Sequence, residues 1–336
     1  MHHAEYMSAM NGKIHILFSF KSGPYGGGNQ FLKALREEWR KIGCYTDNPE
    51  TADIFLFNSF QDIRTVLRTK RRFPKKHFVH RVDGPISLYR DSPSDSVDRF
   101  IFSANAAIAD ATLFQSQFSL RENRAFGMNE KRFEAVIFNA PDSSVFFPSK
   151  ISSLPNQHRK TRLISTSWSS NPMKGFDAYA YLDTHLDFSK YEYTFVGNSP
   201  IAFKHIQKLP PKTSQEIASL LRASDIFITA SRKDPCSNSL IEALTCKLPA
   251  IALNDGGHPE LIQNGGETFV NFSEIPALIE LVSQNYLRYK NRIPDFNIKK
   301  ISEDYRSFLE MVRSEATPKT MDTLNALVIF AQSWLF

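Results

Sequence analysis

The sequence predicts an α/β protein built from two Rossmann-like halves, each with its own parallel sheet. Short apolar runs of strand length alternate with segments of helical periodicity, which is the pattern of βαβ units. A stretch rich in Pro and Ser, residues 141–160, interrupts this alternation, and the alternation then begins again. The chain of 336 residues is also long enough for two domains of ordinary size.

The first half predicts five strands and a helix that follows a glycine-rich turn. The predicted strands are apolar runs over residues 13–20, 53–60, 77–84, 111–118 and 135–141. The helix is predicted over residues 29–42, where apolar residues such as Phe31 and Leu35 recur at helical spacing. These elements form a predicted N-terminal domain over residues 1–150.

The second half repeats the pattern and forms a predicted C-terminal domain over residues 151–314. Its strands are predicted over residues 162–167, 193–197, 225–230, 250–253 and 267–270. Its helices are predicted over residues 214–223, 238–247, 258–264, 274–284 and 299–313. An apolar tail follows over residues 315–336. Its last part, 324–336, is interpreted either as a helix packed on the body or as a contact with a membrane surface.

The composition excludes several classes of protein. With 42% hydrophobic and 23% charged residues the chain is typical of soluble globular proteins, and a net charge of +6 does not by itself call for nucleic acid. Three scattered cysteines predict neither a disulfide framework nor a zinc site, which favours a reducing, cytoplasmic compartment. Residues 1–12 lack the apolar core of a signal peptide, and no apolar run approaches the ~18 residues of a membrane span.

The glycine-rich loop KSGPYGGGNQF, residues 21–31, joins the first strand to the first helix. Backbone N–H groups at such a junction can bind an anion. Asn29 and Gln30 stand where a P-loop has Lys and then Ser or Thr, and Phe31 stands where the dinucleotide fingerprint has its third glycine. The loop matches neither motif. Its three consecutive glycines favour an anion site, with a flexible turn as the alternative.

A second polar turn, DPCSNSLIE from Asp234 to Glu242, follows a predicted strand and leads into a helix. In a doubly wound domain this junction lies at the carboxyl end of the sheet, where ligands bind. The amides of Asn238 and Ser239 would face a diphosphate there. The two carboxylates would accept hydrogen bonds from sugar hydroxyls. Ser239 and Glu242 also fit a capping box, in which the carboxylate only closes the start of the helix.

The order of motifs around this turn resembles that of the retaining GT-B glycosyltransferases of the GT4 type, the glycosyl transferases group 1. The matching segments are IFNAPDSSVFFP at 137–148, MKGFD at 173–177, the D-x7-E pair followed by Ala243, LPAIA at 248–252 and GGHPE at 256–260. The resemblance covers most of residues 13–314. It implies the GT-B fold, in which two Rossmann-like domains face each other across a cleft.

The resemblance also implies a site for a nucleotide-diphosphate sugar on the second domain. Glu242 would hold the ribose, and Asp234, in place of the family's first Glu, would contact hydroxyls of the transferred sugar. The groups implied to face the diphosphate are the amides of Ser237, Asn238 and Ser239 and the side chain of Lys174. In this family a lysine replaces the divalent ion used elsewhere, so no metal and no cofactor are expected.

One position departs from the family pattern. Ser169 stands where an Arg is usual, a few residues before the lysine, so one positive charge for the diphosphate must come from elsewhere. Arg232 or Lys233, just before the first acid of the turn, is the expected substitute. Closure of the two domains would bring Gly27, Gly28 and His80 to the donor and exclude water.

On the first domain, HRVDGP over residues 80–85 ends a strand that is expected to face the cleft. By resemblance, His80 or Asp83 orients the acceptor hydroxyl, and the alternative for Asp83 is a turn-stabilising role. The family provides no obvious enzymic nucleophile. The implied mechanism is front-face attack, in which the leaving diphosphate helps to deprotonate the acceptor.

A run rich in Lys and Arg, residues 64–81, has two interpretations. It is either a solvated face or a surface for anionic headgroups, a lipid-linked diphosphate acceptor or an acidic glycan. Nucleic acid is not expected, because only Phe73 and Phe78 interleave the charges. The basic run and the apolar tail together suggest a cytoplasmic protein that is peripheral on the inner face of the cell membrane.

The sequence therefore predicts a retaining, metal-independent hexosyltransferase that acts from a nucleotide-diphosphate sugar on a glycan or lipid-linked acceptor. Polysaccharide biosynthesis is the setting that the family implies. Two alternatives stay open: a sugar-nucleotide 2-epimerase on the same fold, and a non-catalytic module that binds a sugar nucleotide. The nucleobase, the sugar, the acceptor and the linkage are not predicted.

Overall fold

The computed structural model describes residues 12–23, 26–90, 94–149 and 159–333. Three of the predictions fall partly outside these residues: the absence of a signal peptide, the linker with its domain boundary after residue 150, and the end of the apolar tail. The division into domains stays a prediction.

Two parallel sheets form the framework of the described chain. The first contains β1 (Ile14–Leu17), β2 (Ile54–Asn58), β3 (His77–Val82), β4 (Ala111–Phe114) and β5 (Glu134–Val136), in that spatial order. The second contains β6 (Thr161–Ser167), β7 (Tyr191–Gly197), β8 (Gln207–Leu209), β9 (Ile226–Thr229), β10 (Ala250–Leu253) and β11 (Gly266–Phe269). Its spatial order is β11-β10-β9-β6-β7-β8. The predicted fold class is confirmed.

Helices cover both sheets. In the first half they are α1 (Gly27–Lys41), α2 (Ile63–Arg72), α3 (Ile86–Tyr89), α4 (Ser96–Ile108) and α5 (Gln117–Ala125). In the second half they are α6 (Phe176–His185), α7 (Ser214–Ala223), α8 (Asn238–Thr245), α9 (His258–Ile262), α10 (Ile275–Gln284) and α11 (Tyr286–Lys290). Two more helices end the described chain, α12 (Ile298–Glu315) and α13 (Thr323–Gln332).

Burial on both faces explains why the strands read as continuous apolar runs. In β2, Ile54 and Leu56 pack in the cluster that includes α1, whereas Phe55 and Phe57 pack in the cluster that includes α2. Each predicted strand coincides with an observed one. The prediction missed β8, which pairs only with β7 at the sheet edge and is largely exposed, so its sequence carries no apolar signal.

Four longer helices were also missed, namely α2, α4, α5 and α6. In α2 the apolar stripe is present, with Ile63, Val66 and Leu67 buried at helical spacing, but the surrounding basic residues mask it. Lys70 continues the stripe. Its stem is buried and its ammonium lies 4.5 Å from the centre of the Phe78 ring.

The last long helix returns to the first sheet. The sequence assigns this helix to the second half, but α12 packs against α1 and β3, and its Tyr305 and Leu309 join the core that contains Phe31. The indole Nε1 of Trp39 donates a hydrogen bond to the carbonyl of Ser302, at 3.1 Å. The chain thus ties the two halves together after completing the second sheet.

The apolar tail also packs on the first half. Helix α13 contacts α2 and α4, and Ile329 is buried between them. The guanidinium of Arg64 donates a hydrogen bond to the carbonyl of Ser333, at 2.8 Å. This is the packed interpretation of the tail. Within the described residues, no helix combines the length and the apolar character that crossing a membrane requires.

Two hydrogen-bonded contacts join the halves at α5. The carboxylate of Glu260, on α9, accepts from the N–H groups of Gln117 and Phe118 at 2.7 and 2.6 Å. Ser116 caps the same helix by accepting from an amide of its first turn, and its hydroxyl donates to the carbonyl of Pro235 at 2.6 Å. A carboxylate at a helix amino end is stabilised by the amides and by the helix dipole. The second half therefore supplies part of a helix cap to the first.

We expect Glu260→Gln to lower the free energy of unfolding by about 1 kcal/mol, because the glutamine side chain has no charge and only one acceptor oxygen where the carboxylate has two. Urea denaturation followed by circular dichroism measures the change. The control is Glu303→Gln, which makes the same substitution at an exposed position of α12. Equal midpoints for both variants would show that the interdomain cap contributes nothing.

Candidate functional site

A cleft of about 860 Å³ lies between the two sheets and is lined by residues of both halves. Its volume falls in the ~300–1,000 Å³ range of small-molecule sites. The strand order of the second sheet reverses between β6 and β9, so the loops after these strands diverge at the carboxyl edge. Such a switch point is where α/β sheets bind ligands. Lys174 lies on the loop after β6 and Asp234 on the loop after β9, and both line the cleft.

Lys174 and Asp234 form an ion pair across this switch point, with 3.1 Å between Nζ and Oδ2. Burial opposes ionisation of Asp234, but the nearby ammonium outweighs it, so the pKa of this carboxyl lies below its usual value. Gly175 allows the loop that carries Lys174 to approach the end of β9 closely. Its φ is +72°, and a Cβ there would lie 2.1 Å from the carbonyl oxygen of Ala230.

Glu242 lies in the middle of α8 and lines the cleft. Its side chain is partly buried, and within the described chain no hydrogen-bond donor or cation contacts its carboxylate. Burial alone raises the pKa of Glu242 to about 8. Because this carboxylate lines the cleft and has no described protein partner, it is available to a ligand.

The capping box that the sequence allowed is not formed. Helix α8 begins at Asn238, with Ser237 as its N-cap, so Ser239 already lies inside the helix. No side chain caps the helix. The amides of its first turn, which include those of Asn238 and Ser239, therefore keep their capacity to bind an anion.

The start of α8 contacts the glycine-rich loop of the first half. A Cβ on Gly27 would lie 2.0 Å from the side-chain nitrogen of Asn238, whereas a Cβ on Gly28 would meet nothing within 4 Å. The side chain of Asn139 donates a hydrogen bond to the Oδ1 atom of Asn238, at 3.1 Å. Contacts from the first half thus fix the position of the first residue of α8.

The remaining predicted donor residues also line the cleft. Ser237 is buried, and its hydroxyl lies 3.2 Å from that of Ser239. Ser169 lies on the same loop as the lysine, and its hydroxyl accepts from the amide of Asn171. Arg232 is held by Asp177, at 2.5 Å, so its guanidinium already has a carboxylate partner.

On the first half, Asp83 reaches the cleft and His80 does not. Asp83 lines the cleft and contacts the guanidinium of Arg81 and the side-chain amide of Gln115. Burial raises the pKa of Asp83, and the neighbouring Arg81 counteracts only part of this rise.

The predicted role of His80 is corrected by its position. The side chain is fully buried in the core, stacked on Phe57 with 4.2 Å between ring centres. Its Nε2 donates to the carbonyl of Ser59, and Nδ1 lies 3.2 Å from the side-chain nitrogen of Asn105. Both ring nitrogens are engaged, and burial lowers the pKa of His80 to about 3. His80 therefore connects the end of β2 with α4 inside the core, and it does not line the cleft.

A polar network that no sequence motif predicted connects the two sides of the cleft. The guanidinium of Arg81 donates to Asn58, Asp83 and Asn139, and the same Asn139 amide donates to Gln115 at 3.0 Å. One residue of this network, Asn139, could have been found from the sequence. Asn139 lies in the interdomain segment that carries part of the family resemblance.

Within the described chain, no group of three or more His, Cys, Asp or Glu side chains is placed to hold a metal ion.

Comparison with known proteins identifies one part of the second half. Residues 203–290 match the family model of glycosyl transferases group 1. A probable sucrose-phosphate synthase of Thermosipho melanesiensis is 28% identical over 110 residues, which are 29% of this chain and 26% of that protein. This match spans about a quarter of the curated relative.

Solved structures resemble the chain over nearly its whole length. Sucrose-phosphate synthase from Thermosynechococcus elongatus has a TM-score of 0.65 at 11% identity, covering 96% of this chain and 98% of that one. Anabaena HepE in complex with UDP-glucose has a TM-score of 0.62 at 16% identity, with the same coverage. The catalytic domain of Arabidopsis thaliana starch synthase IV, bound to ADP and acarbose, has a TM-score of 0.67 at 11% identity, covering 91% and 100%. These likenesses confirm the predicted GT-B fold.

We expect Gly27→Ala to weaken the binding of a nucleoside diphosphate about tenfold, because the added methyl group displaces Asn238 from the start of α8. The matched comparison is the double variant Gly27→Ala/Asn238→Gly, in which the clashing side chain is absent, so part of the affinity should return. Calorimetry with UDP, GDP and ADP measures both. Equal losses in the two variants would contradict the assigned contact.

The raised pKa of Glu242 predicts that ligand binding is coupled to proton release. At pH 7 the free carboxyl, with a pKa of about 8, is mainly protonated, and hydroxyl donors stabilise its ionised form. Below about pH 8 the affinity should therefore rise with pH, by up to about tenfold per unit. Calorimetry in buffers of different ionisation enthalpy counts the protons.

Glu242→Gln is the reference for this count, because it removes the titrating group and leaves the proton released by the nucleotide itself. Wild type should release more protons than the variant. The same proton number in both proteins would show that Glu242 does not ionise on binding.

Proposed function

We propose that the chain is a group 1 glycosyltransferase, and that it transfers a hexose with retention from a nucleotide-diphosphate sugar. The acceptor we propose is a glycan or a lipid-linked saccharide. The observation that carries the proposal is the unpartnered carboxylate of Glu242, in a cleft at the switch point of the second sheet. A ribose diol supplies the two hydroxyl donors that this carboxylate lacks.

The surrounding groups support a diphosphate beside that ribose. The uncapped start of α8 offers amides at Asn238 and Ser239, and Lys174 adds a positive charge from the opposite loop. Of the similar structures, HepE holds UDP-glucose and starch synthase IV holds ADP. Both ligands belong to the class proposed here.

The proposed reaction is a front-face substitution. The bond between the anomeric carbon and the diphosphate oxygen breaks, and its electron pair leaves with the diphosphate. The acceptor oxygen bonds to the same face of the anomeric carbon, and its proton passes to a diphosphate oxygen. Lys174 and the α8 amides stabilise the charge that develops on the leaving group, which is the work that a metal ion does in other enzymes. Asp234 contacts the sugar, and Asp83 orients the acceptor hydroxyl.

The acceptor side carries a basic surface on α2 and the turn after it. Arg68, Arg71 and Lys75 are exposed there. Exposed basic residues attract anionic lipid headgroups and polyphosphate groups. We propose a cytoplasmic enzyme that reaches its acceptor at the inner face of the membrane through this surface, with polysaccharide assembly as the process served.

We expect one of UDP, GDP and ADP to bind wild type with EDTA present and to raise its melting temperature. Glu242→Gln and Glu242→Ala should weaken that binding at least tenfold, through the loss of a charge-assisted contact to the ribose. Glu303→Gln, at an exposed position of α12 outside the cleft, should bind as wild type does.

The outcomes separate the proposal from its alternatives. If no nucleotide binds, or if the Glu242 variants bind as wild type does, the proposed donor site is wrong. Where a nucleotide binds, its sugars are tested with and without saccharide acceptors. An epimerase converts the donor without an acceptor, whereas a binding module turns over nothing.

A further inference from the structure

The cleft is lined by several basic side chains, and within the described chain one of them forms no ion pair with a carboxylate. The basic side chains that line it are Lys21, Arg90, Lys174, Lys212 and Arg232. A nucleoside diphosphate carries negative charge on both phosphates, so its binding is strengthened by a cation in addition to Lys174, whose charge is shared with Asp234.

Three of these five cations are paired with carboxylates. Lys174 lies 3.1 Å from a carboxylate oxygen of Asp234, and Lys212 lies 2.9 Å from one of Glu216. Arg232 is held by α6 through its ion pair with a carboxylate 2.5 Å away. The expected substitute for the charge absent at position 169 is thus engaged elsewhere.

Arg90 differs from them. Its side chain is exposed at the end of α3, and within the described chain it has no ion pair and no side-chain hydrogen bond. Its described side-chain interactions are with the neighbouring Tyr89 ring, 6.0 Å from the guanidinium carbon, and with the carboxylate of Asp83, which its charge influences without forming an ion pair. Arg90 comes from the first half, whereas the three paired cations come from the second.

The position of Arg90 relative to the second half follows from one hydrogen bond. The side-chain nitrogen of Asn171 donates to the carbonyl of Tyr89, at 3.3 Å. Asn171 also caps the short turn that ends in Lys174, and its backbone N–H donates a hydrogen bond to the hydroxyl of Ser169. The end of α3 is therefore docked on the loop that carries both Ser169 and Lys174.

We propose that Arg90 supplies, from the first half, a cation that binds the diphosphate of the nucleotide held at Lys174 and α8. This assignment rests on the proposed function. A guanidinium is suited to the role, because its planar donors bind two phosphate oxygens at once and its charge persists at every physiological pH. Ser169, on the facing loop, has a short and uncharged side chain. Since the two halves then share one diphosphate, nucleotide binding favours the closed arrangement of the domains.

Calorimetry with UDP, GDP and ADP, and with the matching nucleoside monophosphates, tests the assignment on the intact chain. For the nucleotide that binds wild type, Arg90→Gln should weaken the diphosphate ~10–100-fold and the monophosphate much less. Arg121→Gln is the control, because it removes an exposed arginine of α5 that does not line the cleft. It should bind both nucleotides as wild type does.

A compensating substitution tests the location of the charge. Ser169→Arg, added to Arg90→Gln, places a guanidinium on the facing loop and should restore most of the lost diphosphate affinity. A double variant that binds no better than Arg90→Gln would contradict the shared location. Circular dichroism spectra and melting temperatures like those of wild type would show that the variants are folded.

Three results would overturn the assignment. Unchanged diphosphate affinity in Arg90→Gln, together with a raised acceptor KM, would show that the charge of Arg90 balances Asp83 instead. Equal losses for monophosphate and diphosphate would remove the contact with the second phosphate. If wild type binds no nucleotide, the proposed function fails together with this inference. If Glu242→Gln loses nucleotide affinity and Arg90→Gln does not, the proposed function stands and only the assignment of Arg90 fails.

Discussion

The arrangement of the cleft depends on one buried guanidinium, that of Arg81. A charge without exposure to water has to be matched by hydrogen bonds, and here Asn58, Asp83, Asn139 and Tyr305 provide the partners. These residues come from β2, from the end of β3, from the segment between the two halves and from α12. The need to satisfy one charge therefore holds four parts of the chain in one relative position.

This network reaches both sides of the cleft. On one side it holds the carboxylate of Asp83, and on the other it continues through Asn139 to Asn238 at the start of α8. Removing one partner of a buried charge typically costs ~3–5 kcal/mol. The groups proposed to handle acceptor and donor are thus positioned by a shared support, and the ion pair of Lys174 with Asp234 lies next to it.

The sequence predicted the sheets well because strands buried on both faces need apolar residues at every position. It failed where local sequence and burial diverge. Strand β8 is an exposed edge, and the basic residues of α2 hide an apolar stripe. For α12 no local pattern reports which half the helix packs on, since α12 buries the same kind of stripe against either sheet.

The D-x7-E motif predicted one part of the site and left another part undecided. The D-x7-E spacing identified two carboxylates that line one cleft, but the choice between a ligand site and a capping box depended on where α8 begins. The assignment of His80 failed for a reason that alternation along β3 explains. Residues 80 and 82 face one side of the sheet, and 81 and 83 face the other, so Asp83 shares its face with Arg81 and not with His80. Asp83 reaches the cleft because it lies just beyond the end of β3, at the carboxyl edge of the sheet, whereas His80 lies within the strand.

The two acids of the motif lie in opposite electrostatic environments. Asp234 is kept ionised by Lys174, whereas Glu242 has no cation and is mainly protonated until a donor arrives. The most direct test of this account is a crystal structure with the nucleoside diphosphate that binds wild type. We predict ribose hydroxyls within hydrogen-bond distance of Glu242 and the diphosphate at the amides of Asn238 and Ser239. A nucleotide bound elsewhere, with Glu242 contacting only protein, would contradict the account.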